Sequence, residues 1–107
     1  MTAPFDVDVA FERDRATVTA VGELDISTAP SLLSAIDACR ATTRHVTLDL
    51  RGLEFMDCSG LRSILEADRR VTLTVIAGGG RVRRLLALTG ADRRLRLAAT
   101  PLASRAA

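Results

Sequence analysis

The chain has 107 residues, which is enough for one domain with a single core and too few for a second domain. Hydrophobic residues make up 48% and charged residues 26% of it, with a formal net charge of +2, so the composition excludes an extended disordered chain. Three Phe and no Trp or Tyr argue against recognition of bases or sugars by aromatic stacking.

The N-terminal part of the chain predicts a β-hairpin followed by a helix. Residues 5–11 and 16–24 alternate apolar and polar side chains on either side of a short polar link, which is typical of two antiparallel strands. Ser27 or Thr28 is suited to cap a helix entered through Pro30, because the first turn of a helix tolerates proline. An apolar stripe then indicates the buried face of this helix: Leu32, Leu33, Ile36 and Cys39.

Strands and helices alternate in the rest of the chain. We expect strands over residues 46–50 and 71–77, a helix over residues 59–69 between them, and a short final strand over residues 95–98. Since strand, helix, strand in this order implies parallel crossovers, the predicted fold class is α/β. The sheet is expected to be mixed, opened by the antiparallel hairpin and continued by parallel strands, with helices packed on it.

A third helix is predicted between two glycine signals. Gly78-Gly79-Gly80 interrupts the chain before it, and Gly90 can end it in the left-handed conformation. The apolar positions of this helix are Val82, Leu85, Leu86 and Leu88.

Threonines share one face of three predicted strands, and Val and Leu occupy the opposite face. If the helices cover the Val and Leu face, the Thr-rich face should be comparatively open. The threonines are Thr17, Thr19, Thr47, Thr72 and Thr74.

The segment FMDCSGL, residues 55–61, places a hydroxyl where an apolar strand turns into a helix. Asp57 is suited to cap that helix, and Cys58 and Ser59 fall in its first turn. Backbone N–H groups there lack partners and the helix dipole favours negative charge, so this is a good place to accept a phosphate. Ser59 is therefore the leading functional candidate, and the alternative is that it is only a capping hydroxyl.

Three segments taken together resemble the STAS domain, and specifically the stand-alone bacterial anti-sigma-factor antagonists. They are Gly22-Glu23-Leu24-Asp25, residues 55–61, and Arg83-Arg84-Leu85-Leu86 with Thr89-Gly90, and they lie in the family's order and spacing. The resemblance covers about residues 5–98 and implies a single STAS domain over residues 1–107, with a short tail at 99–107. Members of the family usually continue into a C-terminal helix, for which this tail, with a proline near its start, has room for only a turn or two.

In such proteins the serine before Gly-Leu is phosphorylated by a partner that is both anti-sigma factor and serine kinase; here that serine is Ser59. The resemblance implies that the unphosphorylated chain binds a cytoplasmic anti-sigma factor and releases a sigma factor for transcription. Phosphorylation at Ser59 would end the binding, and a phosphatase would restore Ser59. We expect a monomer that is not an enzyme and needs no cofactor or metal, since ATP and magnesium belong to the kinase. The expected partner surface comprises Asp25, Asp57, Cys58, Ser59, Gly60 and Leu61.

Several of these residues have a second interpretation. Asp25 is as well suited to be a plain turn acid as a contact residue. Cys58 stands where the family often has a small hydroxyl residue, and is either a modifiable thiol or a small filler. Cys39 and Cys58 lack the paired spacing of a zinc or redox site, so both are expected to be reduced. His45 has no neighbouring ligand set, and DCSG is not the nucleophile turn of a hydrolase.

Two other functions remain open. The first is a STAS subunit of a membrane transport complex of the ABC type. The second is an Arg-driven nucleic-acid-binding module, because residues 58–107 carry 10 Arg and 3 acidic residues, whereas residues 1–57 carry 5 Arg and 10 acidic ones. A solvated helix face explains the same asymmetry, and we expect no direct contact with nucleic acid.

The expected compartment is the cytoplasm. The early charged residues argue against a signal peptide, and the longest charge-free stretch, of 11 residues, argues against a membrane span.

Overall fold

The computed structural model describes residues 5–99, and these residues form one mixed sheet with helices. The elements in chain order are β1 (Asp6–Glu12), β2 (Arg15–Leu24), α1 (Ala29–Cys39), β3 (His45–Met56), α2 (Cys58–Arg70), β4 (Thr72–Ile76), α3 (Gly80–Thr89) and β5 (Arg96–Leu97), with a 3-10 turn (Ala91–Arg93) before β5. No helix in this part of the chain is long and apolar enough to cross a bilayer. The expected short C-terminal turn lies outside the described residues.

The strands lie side by side in the order β1-β2-β3-β4-β5. β1 pairs with β2 antiparallel, and every later pair is parallel. The predicted α/β fold, with a hairpin followed by parallel crossovers, is therefore confirmed. Because each crossover returns the chain to the same edge of the sheet, the carboxyl ends of β2 and β3 lie together, with Leu24 opposite Met56.

β3 is much longer than the predicted strand over residues 46–50. Its second half pairs with the end of β2, and the register shifts twice along this pair, between Thr19 and Val21 and between Gly22 and Glu23. The side chains of residues 46–50 are all buried and most of those of residues 51–55 are exposed, so β3 alternates in burial in neither half. A strand prediction that depends on alternation therefore ends too early.

The core lies between the sheet and the three helices. Val18, Leu48 and Leu73 are each 0% exposed on the helix-covered face of β2, β3 and β4. The helices contribute the fully or almost fully buried side chains of Leu32, Ile36, Cys39, Leu61, Ile64, Ala67, Val82 and Leu86. Leu88 shares the predicted apolar pattern of α3, yet it is 78% exposed and does not belong to this core.

The expectation of an open Thr-rich face is wrong at the centre of the sheet. Thr47 and Thr74 are only 2% and 7% exposed, whereas Thr72 is exposed and Thr17 half-buried. The pairing register explains this difference. Thr47 lies between Thr17 and Thr74, and Thr74 lies between Thr47 and Arg96 of β5, so both buried threonines are covered from two sides.

Candidate functional site

The first turn of α2 begins directly after β3, with Asp57 as its N-cap. One carboxylate oxygen of Asp57 accepts a hydrogen bond from the backbone N–H of Gly60 at 2.9 Å, and the Asp57 carbonyl accepts one from the N–H of Leu61 at 2.9 Å. The predicted capping role of Asp57 is therefore confirmed. The cap holds the first turn rigidly at the end of a central strand, and Cys58 and Ser59 are the first two residues of that turn.

Gly60 allows this turn to lie directly against the end of β2. A Cβ atom at Gly60 would stand 2.5 Å from the carbonyl oxygen of Leu24 and 2.9 Å from side-chain atoms of Leu24 and Met56. The N–H of Asp57 donates to the same Leu24 carbonyl at 3.3 Å. Only glycine fits at this close approach, which also brings the loop after Leu24 beside Ser59.

Ser59 is half-buried at this junction, and its hydroxyl takes part in none of the hydrogen bonds found within residues 5–99. The backbone N–H groups of Cys58 and Ser59 also have no acceptor in that part of the chain. Two backbone N–H donors and one hydroxyl are therefore available at the N-terminus of α2, and a helix N-terminus stabilises an anion. No imidazole or carboxylate activates the hydroxyl within the described residues, so Ser59 lacks the partner that a catalytic serine needs.

A groove of about 310 Å3 runs from Ser59 along the interface of α1 and α2. The residues on its α2 side follow helical spacing, and those on the other side are apolar. Ile26 stands at the rim with 77% of its surface exposed. The lining residues are Ile26, Ala29, Leu33, Ser59, Arg62, Ser63 and Glu66.

Of the residues that line this groove, only Ser59 was predicted from the sequence as a site residue. Positions 59, 62, 63 and 66 recur at i, i+3, i+4 and i+7, which could have predicted a shared polar face of α2. No local pattern reveals that Ile26 and Leu33 lie opposite, because that depends on how α1 packs against α2. Below the groove, Arg70 joins the two helices through Asp37 at 2.8 Å and Glu66 at 3.1 Å.

Asp25 precedes Ile26, which lines the groove, but the hydrogen bonds of Asp25 stay within its own loop. Its carboxylate accepts from the N–H and the hydroxyl of Ser27 at 2.9 and 2.7 Å, and from the N–H of Thr28 at 3.1 Å. The hydrogen bond from the Ser27 hydroxyl, followed by those from the backbone, lowers the pKa of Asp25. Asp25 forms no hydrogen bond to Ser59 among these, so the geometry favours the plain turn acid.

Thr28, one of the two predicted candidates, is the N-cap residue of α1. Its hydroxyl, however, accepts no hydrogen bond from the first turn of the helix. The hydroxyl donates instead to the carbonyl of Glu23 at 2.8 Å and accepts from the N–H of Asp25 at 2.9 Å. Ser27 lies one residue before the N-cap, and its hydroxyl donates to Asp25 and accepts from no N–H of the helix among the hydrogen bonds of residues 5–99. The prediction of a hydroxyl cap for α1 is therefore wrong, since the loop uses both hydroxyls to fix its own turn.

The remaining predicted site residues divide by exposure. Cys58 is exposed beside Ser59, whereas Gly60 and Leu61 are buried, Leu61 at 6% exposure in the core. Cys39 is buried in the core, and burial raises the pKa of its thiol. Within residues 5–99 no three His, Cys, Asp or Glu side chains are grouped so that they could hold a metal ion.

Comparison with known proteins agrees with this geometry. The chain matches the STAS domain model over residues 7–102 and belongs to that family. Its structure resembles that of an anti-sigma factor antagonist from Mycobacterium paratuberculosis, with a TM-score of 0.82 and 29% identity over 94% of this chain and 92% of that chain. The resemblance to the STAS domain predicted from three short segments is thus confirmed.

Two structures of SpoIIAA share the fold at lower identity. The anti-sigma factor antagonist SpoIIAA in its unphosphorylated form has a TM-score of 0.66 and 15% identity over 92% of this chain and 90% of that chain. The Bacillus cell fate determinant SpoIIAA in its phosphorylated form has a TM-score of 0.64 and 18% identity over 89% and 91%. At these identities the likeness concerns the fold.

Proposed function

We propose that this protein is an anti-sigma-factor antagonist that binds a cytoplasmic anti-sigma factor with serine-kinase activity, and that phosphorylation of Ser59 ends the binding. The observation that carries the proposal is the position of Ser59 at the head of a groove, where its hydroxyl and the neighbouring N–H groups have no hydrogen-bond partner among residues 5–99. The anti-sigma factor antagonist from Mycobacterium paratuberculosis supports the proposal as a relative of similar length and fold.

The groove between α1 and α2 supplies the docking surface in this proposal. Ile26 is 77% exposed at its rim, so a partner that covers this side chain removes apolar surface from water. Arg62 on the α2 side offers a positive charge to a complementary partner, whereas Glu66 is already paired with Arg70. Because Gly60 and Leu61 are buried, their role is to place Ser59 rather than to touch the partner.

A phosphate on Ser59 would be held without rearranging the fold. It adds about −1.5 to −2 charge, which the free N–H groups of Cys58 and Ser59 and the helix dipole stabilise. Arg62, one turn further along the same face, lines the groove with Ser59 and can pair with the phosphate. The rest of the domain therefore stays the same, and the change lies in the charge presented to the partner.

The size of the effect on binding follows from electrostatics. A carboxylate of the partner about 5 Å away is repelled by roughly 3 kcal/mol per unit charge at an effective dielectric near 20. Screening at a partly exposed site reduces this to about 1.5 to 3 kcal/mol, which corresponds to a 10- to 100-fold loss of affinity. That range is sufficient for a switch, and ATP and magnesium for the transfer are supplied by the kinase.

The test is to incubate the chain with each kinase-type anti-sigma factor of its source organism and ATP. Mass spectrometry then locates the phosphate, and calorimetry compares the affinity of the phosphorylated and unmodified chains. We expect phosphate on Ser59 and a loss of about 10- to 100-fold in affinity. Ser59→Ala should bind but resist the switch, whereas Ser34→Ala, at an exposed serine of α1, should behave as wild type. Equal affinities of the two forms would contradict the proposal.

The docking surface has its own test. Ile26→Asp should weaken binding to the same anti-sigma factor by about 10-fold or more, because it places a charge where the partner covers apolar surface. Leu88→Asp is the matched control, since Leu88 is 78% exposed on α3 and lies outside the groove. An Ile26→Asp chain that binds as tightly as the control would place the partner on another surface.

A further inference from the structure

A second cavity, of about 200 Å3, opens at the opposite end of the sheet, where β2, β3, β4 and β5 begin. It lies about 30 Å from Ser59, since β3 runs between the two at roughly 3.3 Å per residue. Its lining residues are Arg15, His45, Val46, Thr47, Thr72, Thr74 and Arg96. Neither the docking groove nor the phosphorylation site uses any of them.

The chemistry of this cavity is one-sided. Its charged or ionisable side chains are Arg15, His45 and Arg96, and no carboxylate of residues 5–99 lines it. Within residues 5–99 none of the three forms an ion pair: the pairs found there use Arg40, Arg51 and Arg70. By register Glu12 is the partner of Arg15 on β1, yet it does not line the cavity. The cations therefore lack a counterion from the described residues.

Pairing across the strands brings the donors together in two rows. Arg15 lies beside His45, and His45 beside Thr72, on β2, β3 and β4. The next row runs from Thr47 to Thr74 and on to Arg96 of β5. Neighbouring strands are about 4.8 Å apart, so the backbones of Arg15 on β2 and Arg96 on β5 lie about 14 Å apart, and their long side chains line the same cavity from its two sides.

The threonine hydroxyls are free to take part. Those of Thr47, Thr72 and Thr74 appear in none of the hydrogen bonds within residues 5–99, and no side-chain polar atom there is both buried and unpaired. The hydroxyls of the two buried threonines, Thr47 and Thr74, therefore reach the cavity rather than the interior. Three hydroxyls and two guanidinium groups converge on one space, together with an imidazole.

The backbone around the cavity is fixed before any ligand arrives. The hydroxyl of Thr43 donates to the carbonyl of Asp14 and accepts from the N–H of His45 at 3.0 Å, which joins the turn before Arg15 to the start of β3. The N–H of Thr72 donates to the carbonyl of Arg44 at 2.7 Å and joins β4 to the same point. The strands that carry the donors thus have a set relative position.

We propose that this cavity binds a small phosphate-type anion, either inorganic phosphate or a small phosphate monoester. Guanidinium groups match the oxygens of a phosphate in bidentate geometry, and a tetrahedral anion can accept from several surrounding hydroxyls at once. The volume suits a phosphate with a small substituent. This inference does not depend on the proposed function of Ser59.

The test is a titration of the full chain, labelled with 15N, with inorganic phosphate and in parallel with glycerol 3-phosphate, at constant ionic strength set by chloride. We expect saturable shifts of the amides of residues 45–47, 72–74 and 96. Arg96→Gln and Arg15→Gln should weaken affinity by about 10-fold or more, because each removes a charge-assisted hydrogen bond. Arg93→Gln, an exposed arginine that does not line the cavity, is the matched control and should leave affinity unchanged.

Each result of the titration either identifies the ligand or overturns the proposed site. Tighter binding of glycerol 3-phosphate identifies a monoester as the ligand, and tighter binding of inorganic phosphate identifies the free anion. Shifts that grow linearly, or affinities that are equal in wild type and Arg96→Gln, would overturn the site. Shifts confined to residues 57–60 would also overturn it, because the anion would then sit at α2. Arg96 is exposed, so its variant keeps the fold even if Arg15→Gln does not, and Ser59→Ala should retain anion binding.

Discussion

The beginnings of α1 and α2 share one pattern and differ in what their polar groups do. α1 follows β2, and α2 follows β3, which pairs with β2. An Asp-x-Ser sequence stands at each of these junctions, Asp25 to Ser27 at the first and Asp57 to Ser59 at the second. At α1 the Ser27 hydroxyl donates to the Asp25 carboxylate at 2.7 Å. At α2 the Asp57 carboxylate accepts a hydrogen bond from the N–H of Gly60, and the Ser59 hydroxyl has no hydrogen-bond partner within the described residues.

The cause of this difference is where each helix starts relative to its aspartate. Asp57 is itself the N-cap of α2, so the serine falls inside the first turn. Asp25 lies three residues before the N-cap Thr28, so the same serine falls in a turn that folds back on the aspartate. The polar groups before α1 therefore bind one another within their own loop, whereas at the start of α2 a hydroxyl and two N–H groups have no partner among residues 5–99.

The largest expected effect concerns the residue after the serine, which is Thr28 before α1 and Gly60 in α2. Gly60→Ala should lower the free energy of unfolding by about 1 to 3 kcal/mol, because the added Cβ would meet the Leu24 carbonyl at 2.5 Å. Urea denaturation measures this. Ser34→Ala is the control, since Ser34 is exposed on α1 and is not among the residues that the added Cβ would meet most closely. Equal stability of the two variants would mean that α2 is not pressed against β2.

Removing the cap should have the next largest effect. Asp57→Ala should cost about 1 kcal/mol of unfolding free energy, because the Gly60 N–H loses its acceptor. Asp57→Asn should cost much less, since asparagine caps as well as aspartate does. The two variants are compared by urea denaturation at neutral pH. If Asn were as damaging as Ala, the charge of Asp57 rather than its hydrogen bond would stabilise the helix.

A pH dependence should distinguish Asp25. Its pKa is lowered in the folded state, chiefly by the Ser27 hydroxyl, so its contribution is present above the unfolded pKa of about 3.9 and is lost as pH falls through the folded value. Asp25→Asn should therefore be less stable than wild type at pH 7, and the difference should shrink below about pH 4. Thermal unfolding across this range measures it. A difference that stays constant with pH would mean that the carboxylate has no special stabilisation in the loop.

The smallest expected effect is that of Ser59→Ala on stability. Its hydroxyl has no hydrogen-bond partner within residues 5–99, so the change should stay within about 0.5 kcal/mol. Ser27→Ala should cost more, since it removes a hydrogen bond to Asp25. Both are measured by urea denaturation. A larger loss for Ser59→Ala than for Ser27→Ala would reverse the comparison and make Ser59 a structural residue.

The sequence by itself determined the local features. The hairpin, the order of strands and helices, the Asp57 cap and the place of Ser59 in a first turn all follow from periodicity and capping preferences over a few neighbouring residues. For the same reason three short segments were enough to indicate the STAS domain. Each of these features depends on residues that are close in the chain.

Only the tertiary structure decided which polar groups are occupied and which distant residues meet. The contrast between Ser27 and Ser59, the groove that joins Ile26 to Arg62, and the cavity that joins Arg15 to Arg96 depend on strand register and helix packing. The same is true of the full length of β3, whose irregular pairing with β2 hides its second half. The physical reason is that burial and hydrogen bonding are satisfied between elements, and a pattern along the chain records only one side of each such contact.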